Sequence, residues 1–409
     1  MNSDLVNDFL RGDFSKSRHV QAARDMVPML KERAHEQWRH PMVFKETIAE
    51  LQKHGFFQML QPRRWGGGET TPIESFEAAS ILAEGDPSVA WVVGVVGIHA
   101  YHLAFFDERA QEEVWGQDPT TLISSPYAPG KARRVDGGFV LNGRWSFSSG
   151  GDHCAWTFLG ANIEGEENTR VATSASMAQY TFLLPRKDYE IVPNWNVHGL
   201  RATGSNDVVV KDAFVPHHRT LMWEQVLTND APGLAKNTGA LYRMPFFQIF
   251  SRATQAPAAL GALRGMVQAF IDFNRGKVSR RGTTIGQNPE ATLAVAEALS
   301  QADEMKSQLY KNYGRVIGEV TGTGPAVPMD ERRQFRFQSS QIPPRVARLA
   351  NELFRICGGH AVYEAHAFGR LLNDIVAIQS HQLNNYQLHA NAWAGTLLGD
   401  ENAASNYYA

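Results

Sequence analysis

Two histidines carry the clearest chemical potential in this chain: His99, at the end of the apolar string Val95-Val96-Gly97-Ile98, and His381, in Gln379-Ser380-His381-Gln382. An imidazole with an ordinary pKa of about 6.5 holds or relays a proton near neutral pH. The competing reading for each is a histidine packed in a helix and bonded to a neighbouring carbonyl. Trp91, Trp145, Phe246, Phe247 and Phe250 supply flat apolar side chains, which bind rings and keep a site dry, although aromatics at helical spacing equally fill cores. Cys154 and Cys357 are the only cysteines. They are too few for a disulfide framework, and neither has the cationic neighbourhood that activates a thiol, so both read as packing residues. His360 and His366 lack the Cys, His or acidic company of a metal site, and no metal is expected. No G-x-G-x-x-G lies between a strand and a helix, so nothing in the chain is suited to bind NAD(P)H.

The elements that must position these residues fall into three regions. The chain has 409 residues, more than one hydrophobic core usually serves, and 43% of them are apolar. Its formal charge of -2 comes without any Lys/Arg block, so neither nucleic acid nor a membrane surface is an expected partner. The start, Met1-Asn2-Ser3-Asp4, lacks a basic flank and an apolar stretch, which points to the cytoplasm. Val89 to Ile98 is about half the roughly 20 residues that span a bilayer and reads as a buried helix. Apolar spacing predicts helices over Met42–Gln58 and Pro72–Ala83, with Gly66-Gly67-Gly68 as a loop and Asp86-Pro87-Ser88 opening a further helix. Residues 119–225 switch to short β-rich runs, Phe139-Val140-Leu141, Tyr180–Leu184 and Val208-Val209-Val210, separated by Gly- and Asn-rich turns. A linker around Asp230 to Gly239 leads to long helical patterns through Trp393, including Ala256–Asn274, Pro289–Val320 and Pro343–Ile356. The division is therefore 1–118 helical, 119–225 β, and 226–409 a helical bundle.

Strings along nearly the whole chain resemble the acyl-CoA dehydrogenase fold. They are His54-Gly55-Phe56-Phe57 with Pro62 and Gly66-Gly67, then Asp86-Pro87-Ser88-Val89-Ala90-Trp91, Asn142-Gly143 with Trp145 to Gly150, and Gly199-Leu200-Arg201-Ala202-Thr203-Gly204-Ser205. Each is weak alone, and their order and spacing carry the resemblance. It implies an α+β, mainly α architecture: N-terminal helical domain, middle β-barrel domain, C-terminal four-helix bundle. The dehydrogenases use a carboxylate base early or late in that bundle, yet no Asp or Glu occurs between Asp230 and Asp272 or between Asp374 and Asp400. With that base missing, Ser149, His99 and His381, together with Ser124-Ser125, Ser148 to His153 and Asn194-Trp195, resemble the group D flavin monooxygenases. The oxygenase component of 4-hydroxyphenylacetate 3-hydroxylase is in that group.

That resemblance implies reduced FMN or FAD delivered by a separate NAD(P)H:flavin reductase, O2 as co-substrate, hydroxylation of a small aromatic through a C4a-hydroperoxyflavin, and a homotetramer. It implies that Ser149 donates near the flavin N5, that His381 acts beside the peroxide, and that His99 orients or deprotonates a phenol. Trp91, Ser125 and Trp195 become candidate flavin contacts. Arg280 or Arg281 would reach the flavin phosphate, often from a neighbouring subunit, since guanidinium pairs with phosphate through two charge-assisted bonds. Gly358 and Gly359 would let backbone approach the cofactor, although a helix C-cap explains them nearly as well. The competing functions are an acyl-CoA dehydrogenase-like flavoprotein and a catalytically silent relative.

Overall fold

The computed structural model describes residues 3–166, 178–250, 252, 254–278 and 282–403. The periodic stretch 42–58 forms a helix only over Lys45–Lys53, because Gly55 turns left-handed (φ 74°) and the chain re-enters as the short 3-10 turn Phe56–Gln58. Two helices then run almost back to back, Pro72–Gly85 and Pro87–Leu103. Each is opened by an N-terminal proline and a side-chain cap: the Thr71 hydroxyl accepts from Glu74 N–H, and the Asp86 carboxylate from Ser88 and Val89 N–H. Every residue of Pro87–Leu103 except Val95 is buried, as expected of a helix apolar on all sides. No helix among the described residues is long and apolar enough to cross a membrane.

Among its described residues the middle region contains eight strands: β1 (Ile123–Ser124), β2 (Gly130–Val135), β3 (Gly138–Ser148), β4 (Trp156–Ile163), β5 (Tyr180–Pro185), β6 (Glu190–Val192), β7 (Asn206–Pro216) and β8 (Thr220–Met222). They form one mixed sheet in the order β6-β7-β3-β2-β4-β5-β8, with β1 beside β4. The pairs β2/β4 and β1/β4 are parallel and the others antiparallel. The expected barrel is not closed among the described residues: the sheet ends at β6 and β8, strands of three residues each. Edges so short offer too few ladder bonds to join. The sheet has its own core around Leu141, Trp145, Leu159, Phe182 and Val208. Trp145 is fixed there by its Nε1–H bond to the Gly160 carbonyl (2.8 Å). It therefore does not share a pocket wall with Trp91, which lies in the larger helical core.

After the 3-10 turn Pro232–Ala235 the helices Gln255–Asn274, Pro289–Thr321, Ile342–Cys357 and Ala367–Gln379 pack on one another, and Met329–Ser340 joins the second to the third. The last long helix stops at Gln379, short of the pattern that runs to Trp393. His381 leaves the helical region (ψ 136°), and its Nδ1 takes the Leu383 N–H (3.2 Å) as the cap of a new turn.

Candidate active site

Ser149 sits where β3 gives way to a turn, after Phe147 (φ 72°) and before Gly150 (φ 69°), and is 5% exposed. Trp91 Nε1–H, from the Pro87–Leu103 helix, donates to its hydroxyl oxygen (3.1 Å). Ser149 Oγ lies 2.7 Å from Ser205 Oγ, and Ser205 Oγ lies 2.6 Å from Thr203 Oγ1, which donates to the Leu200 carbonyl (2.9 Å). A hydroxyl has one hydrogen to give. Thr203 spends its hydrogen on Leu200, so Ser205 must donate to Thr203 and Ser149 to Ser205. The Ser149 oxygen then keeps one lone pair beyond the bond from Trp91. Trp195, half-buried, also donates to the Leu200 carbonyl through Nε1 (3.0 Å). Leu200 is left-handed (φ 52°), and its N–H reaches Asp374 Oδ1 (2.6 Å) on the Ala367–Gln379 helix.

His381 meets Trp91 edge to face, with ring centroids 5.5 Å apart. Its Nδ1 accepts from Leu383 N–H and faces Gln255 Nε2 (3.4 Å), which assigns the proton of the neutral ring to Nε2. Burial lowers its pKa to about 4, so the ring is neutral at pH 7, contrary to the expectation of an unperturbed value. Next to it lies a polar cavity of about 10 Å³ lined by Gln255, Arg336, Ser339, Ser340, Asn384 and His389, room for one water.

His99 is buried and bonded through Nδ1 to the Ile123 carbonyl (2.6 Å), the packing contact weighed against function above. That bond places its proton on Nδ1 and leaves a lone pair on Nε2. Burial lowers its pKa to about 4 as well. Sequence reasoning missed His102, one turn further along the same helix. It is 0% exposed, Nδ1 bonds the Tyr127 hydroxyl (2.9 Å), and Nε2 has no hydrogen-bond partner. Around it Tyr127, Phe158, Trp223, Phe246 and Phe250 stand with centroids 4.9 to 5.7 Å away. Phe247 stacks on the far partner Trp223 (5.6 Å). The i, i+3 spacing of His99 and His102 was a visible signal, but their shared partner Tyr127 is distant in sequence. Ser125 is buried two residues before Tyr127 and lies against its hydroxyl.

Other candidates stand apart. Gly358 (φ 61°) caps the Ile342–Cys357 helix; it and Gly359 are exposed, with nothing near the positions a Cβ would take. Arg280 and Arg281 lie outside the described residues. The Cys154 thiol donates to the Gly150 carbonyl (3.3 Å) beneath the Ser149 turn, and burial pushes its pKa far up; burial likewise pushes Cys357 up to about 11. Neither is an activated nucleophile. The described residues contain no cluster suited to a metal ion.

Residues 17–118 match the acyl-CoA dehydrogenase N-terminal domain family and residues 253–386 the acyl-CoA dehydrogenase C-terminal domain family. The flavin-dependent monooxygenase oxygenase subunit HsaA of Mycobacterium tuberculosis is 36% identical over 373 residues, covering 90% of this chain and 92% of that protein. The FADH(2)-dependent resorcinol hydroxylase, oxygenase component, of Rhizobium sp. is 32% identical over 363 residues, 86% of each chain. Among solved structures, the 3-HSA hydroxylase from Rhodococcus sp. RHA1 superposes with a TM-score of 0.86 at 33% identity, over 94% of this chain and 97% of that one.

Proposed function

The chain belongs to the oxygenase components of the flavin-dependent monooxygenases of acyl-CoA dehydrogenase fold, and from that we propose that it hydroxylates a small aromatic compound with O2, using reduced FMN or FAD supplied by a separate NAD(P)H:flavin reductase. The observation that carries the reading is the Trp91–Ser149 hydrogen bond with His381 against the same indole, three residues from three distant segments. Reduced flavin, when bound, supplies the electrons and the carbon at which dioxygen is activated. The donor set fits such a group. Reduced isoalloxazine carries a hydrogen on N5, and the Ser149 oxygen has a lone pair left for it; in this reading Ser149 accepts there, where the sequence expectation had it donate. Trp91, Trp195 and Ser125 would line the ring. Arg280 or Arg281 of a neighbouring subunit would meet the phosphate, and Gly358-Gly359 would give backbone room.

His381 holds its proton on Nε2 and would offer it as a hydrogen bond to a reacting oxygen; an anion beside it would raise the imidazole pKa again. His99, too weak a base to keep a phenol proton, would orient a phenol by accepting at Nε2. The unpartnered His102 Nε2 would meet a second polar group on the substrate, inside the box of Tyr127, Trp223, Phe246 and Phe250. We further propose the divisions 1–118, 119–225 and 226–409, and a homotetramer. Exposed Leu293, Val362, Tyr363, Val376 and Leu398 support the assembly.

The test is anaerobic titration with reduced FMN and reduced FAD, then labelled dioxygen and a panel of phenols with a flavin reductase. Reduced-flavin binding and one labelled oxygen per product are expected. Tightly held oxidised FAD that an acyl-CoA reduces would overturn the reading in favour of a dehydrogenase.

A further inference from the structure

We infer that Asp374 is a positioning residue for Ser149: its carboxyl holds the Leu200 turn and, through Thr203 and Ser205, fixes where the Ser149 lone pair points. This rests on the reading of Ser149 as flavin-facing. The path is continuous. Asp374 Oδ1 takes the Leu200 N–H (2.6 Å), the Leu200 carbonyl takes the Thr203 hydroxyl (2.9 Å), and Thr203, Ser205, Ser149 and Trp91 follow at 2.6, 2.7 and 3.1 Å. Gly150 N–H also bonds the Thr203 carbonyl (2.8 Å), so the turn is held by backbone as well. Leu200 needs holding: a left-handed leucine costs about 1–2 kcal/mol relative to the right-handed region.

The clamp sits where three regions of the chain meet. Asp374 is on the last long helix, two turns before His381. Leu200 belongs to the loop between β6 and β7. The third participant is Asp86, the cap of the helix that carries Trp91, which is buried close enough to act on Asp374. The charged groups acting on Asp374 are Asp86 and, on its own helix, Arg370. Burial first, and the Asp86 charge second, push the Asp374 carboxyl up to about 7; burial also raises Asp86. Near neutral pH the Asp374 carboxyl thus passes from its neutral to its ionised form, with the Asp86 charge opposing that step. The Leu200 N–H bond favours the ionised carboxyl, because a carboxylate accepts from an N–H more strongly than a neutral acid does, so ionisation tightens the hold on the Leu200 turn.

The consequence is a pH-graded hold on Ser149. Asp374→Asn keeps an acceptor for the Leu200 N–H and removes the charge, whereas Asp374→Ala removes both. Amide hydrogen exchange over residues 199–205, corrected for the intrinsic pH dependence of exchange, reads the clamp without any flavin. In the wild type it should slow from pH 6 to pH 8 by up to roughly tenfold, about the worth of one hydrogen bond. Asp374→Asn should keep the low-pH rate throughout, Asp374→Ala should be fast at both ends, and Asp86→Asn should move the change to lower pH, because it removes the repulsion that opposes ionisation of Asp374. In reductase-coupled turnover, hydrogen peroxide release should follow the same order. An unchanged pH profile in Asp374→Asn would overturn the inference, and that variant decides alone if Asp374→Ala does not fold. Exchange that behaves as expected in a protein that oxygenates nothing would leave the clamp standing and remove the monooxygenase reading.

Discussion

At Ser149 the count of hydrogens decides the chemistry. Its own goes to Ser205, so what it offers a cofactor is a lone pair, and losing it should shorten the useful life of the oxygen-charged enzyme without preventing flavin binding. Ser149→Ala should bind reduced flavin as before and release hydrogen peroxide roughly two- to tenfold faster, since a neutral hydrogen bond is worth about 0.5–1.5 kcal/mol. His381→Ala removes a charge-stabilising donor from a dry site and should instead slow reoxidation of bound reduced flavin, by up to about a hundredfold. Stopped-flow absorbance and a peroxide assay separate the two. The lowered pKa of His99 also has a stability signature. Between about 4 and 6.5 the unfolded chain binds a proton that the folded ring refuses, so the wild type loses stability as pH falls through that window. The melting-temperature gap between the wild type and a destabilised His99→Gln should therefore shrink from pH 7 to pH 5. Residue types suggested His99, His381 and an aromatic wall including Trp91, and the family resemblance added Ser149. The imidazole pKa values and the hydroxyl donor order were not legible, because both depend on groups that only folding brings near.

The secondary-structure elements were easiest to read where local signals agree. The helices at Pro72, Pro87 and Pro289 begin where a cap and a proline coincide, and Phe139, Tyr180 and Val208 all lie in strands. The reading went astray where a local competitor ended a periodic pattern: Gly55 cuts one helix, and His381 caps a new turn in place of continuing another. Sheet closure could not be read at all, since it depends on pairing between distant three-residue edges. The cap at Asp86 gives a prediction at this scale. Asparagine caps a helix about as well as aspartate but has no charge to bury. Because the folded pKa of Asp86 is raised, its ionisation costs stability as pH rises through about 4 to 6. Asp86→Asn should therefore melt higher than the wild type at pH 8, with the advantage lost by pH 4; differential scanning fluorimetry across pH measures it.

For the whole molecule, the side chains of Val376, at 46%, and Leu398, at 87%, are exposed, and the proposed tetramer would cover them. Sedimentation of the wild type should give a tetramer, and Val376→Lys should give a smaller species with weakened reduced-flavin affinity if a neighbour completes the phosphate contact. The box around His102 bears on the heat of substrate binding. Its space is occupied by its own rings, packed with centroids 4.9 to 5.7 Å from the imidazole. A guest entering a water-filled pocket gains entropy from the released water, but here there is little water to release. The guest must exchange ring–ring contacts for ring–guest contacts. Calorimetry should accordingly find binding of an aromatic substrate to the flavin-loaded protein driven by enthalpy at room temperature, and slow, because the rings must turn before the guest can enter.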